Sequence, residues 1–346
     1  MSRRTLTLLL ASVLSVVLSA GAVQARVPYV ALGPGPTYDT LGEVDGEPLL
    51  QVEGRPTFPT DGRLDLTTVG VQPRLTLFEA LEGWLDRDRA VVPREVVYPP
   101  GKSDEEVDRE TAEQMAASQN SAVSAAARQL GFRTADVIVE GVAAGAPADG
   151  RLREGDVLRT VDGRPLRDAA DLRAAVAGGE VGAVVRIGLE RTGRSASVEL
   201  RTEASEDDGE RRPVIGVVTR EEPVDAPFEV EITLEDVGGP SAGLIFALGI
   251  LDKLGEPSLT GGRHIAGTGE ITAQGEVGPI GGIAQKLVAA KAKGVDAFLV
   301  PAGNCAEAVL SAPDGLPLVE VGTLSQALTA LEALREGDEP ELCSAG

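Results

Sequence analysis

The segment EDVGGPSAGLIFALGILDKLG (235–255) joins a predicted turn to a predicted helix and carries a serine, Ser241, between them. The preceding segment FEVEITL (228–234) alternates apolar and polar residues, a pattern typical of a half-buried strand. Residues 242–254 are apolar nearly all round, which predicts a buried helix with Pro240 at its first position. This strand–turn–helix order favours an α/β fold. It also places Ser241 where free backbone N–H groups could bind an oxyanion.

A second segment, GEVGPIGGIAQKLVAAKAKG (275–294), carries Lys286 on a helix that is predicted to begin after Gly282. Lys286 borders an apolar face of this helix, which is formed by Ile283, Leu287 and Ala290. Only five of the 32 basic residues in the chain are lysines. A lysine at the edge of an apolar face therefore requires an explanation.

A buried lysine would explain how Ser241 could act as a nucleophile without a histidine. Burial lowers the pKa of a lysine toward neutrality, and the neutral amine can then take the proton of a serine hydroxyl. Arginine cannot do this, because it does not lose its proton in proteins. The pair therefore predicts a serine peptidase with a Ser–Lys dyad. Two simpler interpretations remain open, namely Ser241 as a helix cap and Lys286 as a solvated side chain.

The motifs GGPSAG, GTGEI and PIGGIAQKLVAAKAKG, taken together, resemble the proteolytic domain of Lon-type proteases. These are the Ser–Lys peptidases of the endopeptidase La family (S16), and the resemblance covers residues 228–335. It implies that Ser241 is the nucleophile and Lys286 the general base. It also implies that Thr268, in GTGEI, helps to position the lysine. Members of the family commonly carry an acidic residue directly before GPSAG, and this chain has Gly238 there.

The remaining features of the sequence exclude several other classes of function. No G-x-x-x-x-G-K-[ST] phosphate-binding loop occurs in the 346 residues, so we expect proteolysis without ATP and without a cofactor. The net charge of −22 argues against a nucleic-acid partner. The single histidine, His264, lies near a predicted turn and is expected to be structural. With one histidine and two distant cysteines, no metal site is expected.

Residues 131–204 resemble a PDZ domain. The resemblance rests on a predicted strand DVIVEGV (136–142), followed in order by GAPADG (145–150), REGDVL (153–158) and VDG (161–163). It implies a groove that binds extended peptides or C-termini by adding a strand to the sheet. Such a groove would hold a substrate or an adaptor. The segment Leu130-Gly131-Phe132 is a candidate binding loop, and the alternative is a domain that only packs against or gates its neighbour.

The expected fold class is α/β (α+β) for the Lon-type proteolytic domain, with a small β-rich PDZ-like domain, after an N-terminal hydrophobic helix. Residues 205–213 are charged and predict a linker, and the proteolytic domain proper is expected over 214–335. We expect residues 27–130 to complete the proteolytic domain, with the PDZ-like domain inserted within it. A helix is predicted from Ser103 to Leu130, with a capping box at its start. The acidic tail, residues 336–346, is expected to be loose.

The N-terminal segment, residues 1–26, is predicted to be a signal-anchor or transmembrane helix. Arg3 and Arg4 precede an apolar run of eighteen residues, Leu6–Val23, which is just long enough to span a bilayer. Because the basic flank stays inside, the remainder of the chain is expected outside the cytoplasm. Val23-Gln24-Ala25 resembles a cleavage site, so secretion is the alternative. In an oxidising compartment Cys305 and Cys343 could form a disulfide, and the alternative is two free thiols.

The sequence thus predicts a membrane-anchored, extracytoplasmic serine endopeptidase that acts on proteins or peptides without ATP. Because Lon relatives form rings, the resemblance also allows a homo-oligomer. Two other functions remain open. The chain could be a non-enzymatic scaffold of the cell envelope that binds partners through its PDZ domain, or a protease that mainly processes its own chain.

Overall fold

A computed structural model describes residues 10, 12–15, 21, 25–207, 210–234 and 237–344 of the chain. Most of the predicted membrane segment, residues 1–26, lies outside these described residues. Among the residues that are described, none belongs to a helix that is both long enough and apolar enough to cross a bilayer.

Residues 25–129 begin with strands and end in a long helix. The elements are β1 (Arg26–Val27), β2 (Tyr29–Asp39), β3 (Glu43–Val44), β4 (Glu47–Pro48), β5 (Leu50–Glu53), β6 (Arg63–Gln72), β7 (Leu75–Thr76), α1 (Leu77–Leu85), β8 (Ala90–Pro93), a 3-10 turn (Arg94–Val96) and α2 (Asp104–Gln129). The predicted capping box of α2 is confirmed. The N–H of Ser103 donates to the Glu106 carboxylate at 2.8 Å, and the N–H of Glu106 donates to Ser103 Oγ at 3.2 Å.

The middle of the chain is rich in strands. Its elements are β9 (Ala135–Val142), β10 (Val157–Val161), β11 (Arg164–Pro165), α3 (Ala169–Ala177), β12 (Val184–Arg191), β13 (Arg194–Arg201), β14 (Glu203–Asp207), β15 (Glu210–Val214) and β16 (Val217–Pro223).

The last part of the chain alternates strands and helices. Its elements are β17 (Glu229–Ile232), α4 (Gly243–Leu254), β18 (His264–Gly267), β19 (Glu270–Ile271), β20 (Val277–Gly278), α5 (Ile283–Lys293), β21 (Ala297–Pro301), a 3-10 turn (Ala302–Asn304), α6 (Cys305–Ser311), β22 (Leu318–Val321) and α7 (Leu324–Glu336). Gly255 is the C-cap of the apolar helix α4.

The chain divides into two compact units. The first comprises the chain up to Val52, Pro56–Ala122 and the chain from Val230 onward. The second comprises Glu53–Arg55 and Val123–Glu229. The second unit therefore interrupts the first along the sequence.

The first unit is built on a six-stranded mixed sheet with the order β22-β21-β18-β6-β2-β8. The four strands from β22 to β6 are parallel, and β2 and β8 are antiparallel to their neighbours. Every residue of β21 is buried, as expected for a parallel strand that is covered on both faces. The predicted apolar face of α5 is fully buried in the same core, where it packs with Ala266 and Phe298. This mixed sheet with packed helices confirms the predicted α/β class.

The second unit is an antiparallel sheet with the strand order β13-β12-β10-β9-β16, and β11 pairs with β10. Its core contains the inward-facing residues Val137, Val139, Leu158 and Ile187 together with Leu172 of α3. Two predicted boundaries were wrong here. Residues 205–213 are not a linker, because β14 and β15 pair as an antiparallel ribbon. Strand β16, assigned from sequence to the proteolytic domain, instead pairs with β9. Charged composition predicts exposure to solvent, but it does not reveal whether the backbone is paired.

The predicted loose tail also differs from the structure. The N–H of Glu320 in β22 donates to the Glu341 carbonyl at 3.0 Å, and the N–H of Cys343 donates to the Leu318 carbonyl at 2.9 Å. Cys343 forms a disulfide with Cys305 at the start of α6. The tail therefore continues the sheet next to β22, because that edge of the sheet offered unpaired backbone groups.

Candidate active site

Ser241 lies in a tight turn that is hydrogen-bonded to α2. Gly239 has a φ of +88°, and its N–H donates to the Thr111 carbonyl at 2.8 Å. The Ser118 hydroxyl donates to the Pro240 carbonyl at 2.9 Å. A Cβ atom at Gly238 would lie only 2.8 Å from Thr111 Cβ, so the turn leaves no room for a side chain there. Close contact with α2 thus accounts for glycine at the position where Lon-type sequences commonly carry an acidic residue.

Ser241 does not cap the helix that follows it. The N-cap of α4 is Ala242, and no side chain bonds to the backbone there. The helix begins at Gly243, so the prediction that Pro240 occupies its first position was wrong. The Ser241 carbonyl instead accepts the N–H of Gly269 at 2.8 Å. The hydroxyl is left to face the amine of Lys286.

Lys286 is held by the first turn of α5. Gly282 precedes this helix with a φ of +70°, and a Cβ atom there would lie 2.7 Å from the Val69 side chain. Glycine is therefore needed for α5 to start this close to β6. The sequence placed Lys286 at the edge of an apolar face, but the structure buries it to 2% exposure.

Three oxygens surround the amine of Lys286. Its Nζ lies 2.8 Å from Ser241 Oγ. It also donates to Thr268 Oγ1 at 2.9 Å and to the Thr67 carbonyl at 3.0 Å. Thr268, which is buried, donates its own hydroxyl proton to the Ser241 carbonyl at 3.0 Å. Ser241, Thr268 and Lys286, all singled out from the sequence, therefore meet at one point.

The protons can be counted around this site. A carbonyl only accepts, so the Thr67 contact uses one N–H of the amine. The Thr268 hydroxyl donates its hydrogen bond to the Ser241 carbonyl, so toward Lys286 its oxygen acts as an acceptor. The Thr268 contact therefore uses a second N–H of the amine. A neutral amine has only two N–H groups and one lone pair. The lone pair of neutral Lys286 consequently faces Ser241 Oγ, whose O–H donates to it.

Burial also favours this neutral form of the lysine. Desolvation lowers the pKa of Lys286 to about 7, because the charged ammonium loses its hydration inside the protein. A base whose pKa lies near the ambient pH is well suited to general acid–base catalysis. The arrangement can therefore remove the Ser241 proton at neutral pH without a histidine or a metal.

A cleft of about 700 Å³ opens above the two residues. Most of its wall is apolar and is formed by residues that include Val69, Val71, Val97, Val107, Met115 and Ile280. Two carboxylates, Asp108 and Glu270, also line it. Burial and the nearby charge of Asp108 raise the pKa of Tyr98, which lies in the same wall. The cleft is large enough to hold several residues of an extended peptide.

The loop that leads into α5 is fixed by a neighbouring side chain. Asn304 is buried, accepts the N–H of Ile280 at 2.8 Å and donates to the Ile280 carbonyl at 3.0 Å. Asn304 directly precedes Cys305, whose disulfide to Cys343 closes a separation of 38 residues. The disulfide therefore lies next to the residue that holds the lysine loop.

His264 has a partner other than the serine. Its Nε2 lies 3.0 Å from Oδ2 of Asp65, a fully buried carboxylate on β6. Its backbone N–H donates to Asp296 at 2.8 Å. Sequence reasoning did not single out Asp65, Thr67 or the two α2 residues that hold the serine turn. The Thr67 contact uses a backbone carbonyl, which every residue type possesses, so no sequence signal could have identified it.

Comparison with known proteins identifies both parts of the chain. Residues 235–325 match the family model of the Lon protease (S16) C-terminal proteolytic domain, and residues 114–202 match that of the PDZ domain. The first of these matches spans Ser241, Thr268 and Lys286. The chain thus combines a Lon-type proteolytic domain with a PDZ domain.

Individual relatives agree with this assignment. Lon protease 2 of Bacillus subtilis (strain 168) is 36% identical over 92 residues, which are 27% of this chain and 16% of that protein. Lon protease of Roseiflexus castenholzii is 42% identical over 66 residues, 19% of this chain and 8% of that protein. The mitochondrial Lon protease homolog of Mus musculus is 43% identical over 67 residues, 19% of this chain and 7% of that protein. The chain therefore spans less than a fifth of the length of these relatives.

Among solved structures, the PDZ domain of an SdrC-like protein from Listeria monocytogenes matches 24% of this chain and 86% of that domain. The two are 23% identical, with a TM-score of 0.23.

Proposed function

We propose that the protein is a serine endopeptidase that works through a Ser241–Lys286 dyad, without ATP, outside the cytoplasm. The observation that carries this proposal is the 2.8 Å contact between Lys286 Nζ and Ser241 Oγ in a site where burial lowers the lysine pKa to about 7. A structural lysine in a protein core would be expected to pair with a carboxylate. Within the part of the chain that the structure describes, the hydrogen bonds of Lys286 go to neutral oxygens.

The first half of the reaction forms an acyl-enzyme. A peptide binds in the cleft, and Ser241 Oγ attacks the scissile carbonyl carbon while its proton passes to Lys286 Nζ. The ammonium that forms donates to the Thr67 carbonyl and to Thr268, which keep it oriented. Lys286 then gives the proton to the leaving amine, and the C–N bond breaks.

The second half releases the product. Water attacks the acyl carbon, Lys286 takes a proton from that water, and the same proton returns to Ser241 Oγ as the ester bond breaks. The negative oxygen of each tetrahedral intermediate needs N–H donors. Pro240 has none, and the N–H of Leu244 already donates to the Gly269 carbonyl at 3.1 Å. We therefore assign this role to N–H groups between Ser241 and Gly243.

Three observations support the proposed location and energy source. The apolar run Leu6–Val23 behind Arg3 and Arg4 supports a membrane anchor with the remaining chain outside the cytoplasm. The Cys305–Cys343 disulfide is compatible with an oxidising compartment. No phosphate-binding loop occurs in the sequence, which supports turnover without ATP.

The PDZ domain would supply a second peptide site along β16. This strand lies at an edge of its sheet and, within the described residues, pairs only with β9. It runs beside α3, since the N–H of Ala169 donates to the Glu221 carboxylate at 2.6 Å. A peptide could therefore add to this edge next to the helix. The segment Leu130–Phe132 is unsuited to be the binding loop. Its Phe132 ring is already occupied, because it packs against the Phe228 ring and lies beneath the Arg55 guanidinium.

The proposal is tested with the full chain and a peptide boronate, whose boron forms a covalent bond with an activated serine. Native protein should gain the mass of the boronate at Ser241 and should degrade an unfolded protein without ATP. Ser241→Ala should do neither, whereas Ser195→Ala, at an exposed position on β13, should do both. Native protein that neither reacts with the boronate nor cleaves would contradict the proposal and favour the scaffold function. Boronate labelling with cleavage of the chain itself alone would favour self-processing.

A further inference from the structure

Helix α1 exposes an apolar face to solvent. Phe78, Leu81 and Leu85 are 57%, 49% and 86% exposed. At about 100° per residue, these three side chains lie within about 60° of one another around the helix axis. Ala80 and Gly83 are buried and anchor the helix to its own unit. The exposed apolar face of α1 is therefore distinct from the face that packs against the rest of its unit.

Ala25, which follows the apolar N-terminal run by two residues, lies beside this helix. The N–H of Leu77, the first residue of α1, donates to the Ala25 carbonyl at 2.9 Å. Arg26 pairs with Thr76 in the short β1–β7 ladder. The run Leu6–Val23 finishes only two residues before Ala25. Whatever apolar medium holds residues 6–23 must therefore lie close to the start of α1.

Side chains typical of a membrane interface surround the same place. Trp84 is 53% exposed, and its ring meets the edge of the Tyr29 ring with 5.5 Å between the centroids. Trp and Tyr are enriched where a membrane protein crosses the headgroup region. Arg26 and Arg74, at the two ends of the β1–β7 ladder, are exposed and suit anionic headgroups.

We propose that α1 is an interfacial helix that inserts Phe78, Leu81 and Leu85 into the surface of a phospholipid bilayer. This inference rests on the membrane location proposed above. A short amphipathic helix of this kind lies in the plane of the interface, with its apolar face at the boundary between headgroups and acyl chains. The proteolytic unit would then be held to the bilayer at two points, the N-terminal run and α1. The position of its cleft relative to the membrane would be fixed by the second contact.

Trp84 provides a direct probe, because it is the only tryptophan in the chain. Full-length Ser241→Ala protein is placed in vesicles of phosphatidylcholine and phosphatidylglycerol, with either plain or brominated acyl chains. Bromine quenches tryptophan only at short range, so docking of α1 should reduce Trp84 emission by about half. Leu81→Gln with Leu85→Gln should restore most of the emission. Leu310→Gln, at an equally exposed position in α6 (86%), should leave the quenching unchanged.

The outcomes separate this inference from the proposal on which it rests. Protein that stays with the vesicles after a carbonate wash but shows equal Trp84 emission in both lipids contradicts docking of α1 and leaves the anchor intact. Protein that the wash removes contradicts both. Unquenched emission, together with a dimer that Leu85→Gln converts to a monomer, would show that the face binds a second copy, and this also overturns the inference. No step depends on proteolytic activity.

Discussion

One lysine of the first compact unit and one carboxylate of the second differ in how their surroundings shift their pKa values. In the proteolytic unit, Lys286 is buried among neutral oxygens, and desolvation lowers its pKa to about 7. In the PDZ unit, Asp171 meets Arg167 through two hydrogen bonds of 2.8 and 2.9 Å, and Arg128 at 2.5 Å. Burial by itself would raise the pKa of Asp171, but the bonds from the two arginines outweigh it and lower the pKa to about 2.

The same pattern recurs elsewhere in the PDZ unit. Asp156 is 1% exposed and receives two hydrogen bonds from Arg191, at 2.7 and 2.6 Å. Burial acts to raise its pKa, but Arg191 and the N–H of Arg153 lower it overall. A buried charge that is paired is held in one protonation state, whereas an unpaired one can change state near neutral pH. The comparison therefore distinguishes carboxylates that stay charged at neutral pH from a lysine that can change its protonation state there.

The largest expected effect is the loss of cleavage when Lys286 is replaced. Lys286→Arg keeps a positive charge and Lys286→Met keeps much of the volume, but neither can accept the Ser241 proton. Each should reduce the initial rate of cleavage by about a thousandfold or more. Lys291→Met, at an exposed position on the same helix, is the matched control and should cleave normally. Cleavage by Lys286→Met at even a tenth of the native rate would show that another group is the base.

The next effect is the dependence of the rate on pH. Because only neutral Lys286 accepts the proton, the rate should rise about tenfold per pH unit below the pKa of about 7 and level off above it. Between pH 5 and pH 7 the rate should therefore change by about fiftyfold, because half of the lysine is neutral when the pH equals its pKa. The measurement is kcat/KM across this range with a short peptide. A rate that is flat from pH 5 to 8 would contradict a general base with this pKa.

A smaller effect, on stability, is expected when the Asp171 carboxylate is removed. Asp171→Ala leaves Arg128 and Arg167 without the carboxylate that both contact, so we expect a loss of about 2 kcal/mol in the free energy of unfolding. The pKa of Asp171 is lowered in the folded state, so its contribution is present above the ordinary pKa of about 3.9 and is lost as pH falls toward 2. Urea unfolding at pH 7 and pH 3 checks both statements. Equal stability of the variant and native chains at pH 7 would show that the pairing is not stabilising.

The smallest expected effect at pH 7 is a gain in stability rather than a loss. Lys286→Met removes a costly buried amine, so the variant should be more stable than native protein by about 1 kcal/mol at pH 7. The folded-state pKa of about 7 lies below the unfolded value of about 10.4, so between these values the unfolded chain binds the extra proton. Native stability should therefore rise with pH from about 7 to 10 through this group, and Lys286→Met should lack that slope. An unchanged slope would mean that Lys286 is charged in the folded state.

Local sequence patterns predicted a large part of this site. Apolar periodicity identified α4 and the buried face of α5, and glycine marked the start of α5. The resemblance between motifs paired Ser241 with Lys286 and Thr268, and the structure brings them within 3.0 Å of one another. These features depend on a few neighbouring residues, so a single segment carries the signal.

Contacts between distant segments were not predictable in the same way. Thr67 contributes a backbone carbonyl, and Ser118 reaches Pro240 across 122 residues of sequence. The pairing of β16 with β9 and the pairing of the tail with β22 depend on which sheet edges remain open after folding. Composition does not encode such edges, which explains the errors over β16 and in the tail.

The most direct test of the central claim is the protonation state of Lys286 itself. The chain has only five lysines, so lysine labelled with ¹³C at Cε gives few NMR signals, and Lys286→Met identifies the one of interest. Titration of the full-length Ser241→Ala protein should show this signal changing at a pH of about 7. The unfolded chain, in which a lysine has its ordinary pKa of about 10.4, gives the reference titration. A Lys286 signal that also titrates near 10 would contradict the account, because the amine would then be a cation at neutral pH and could not act as the base.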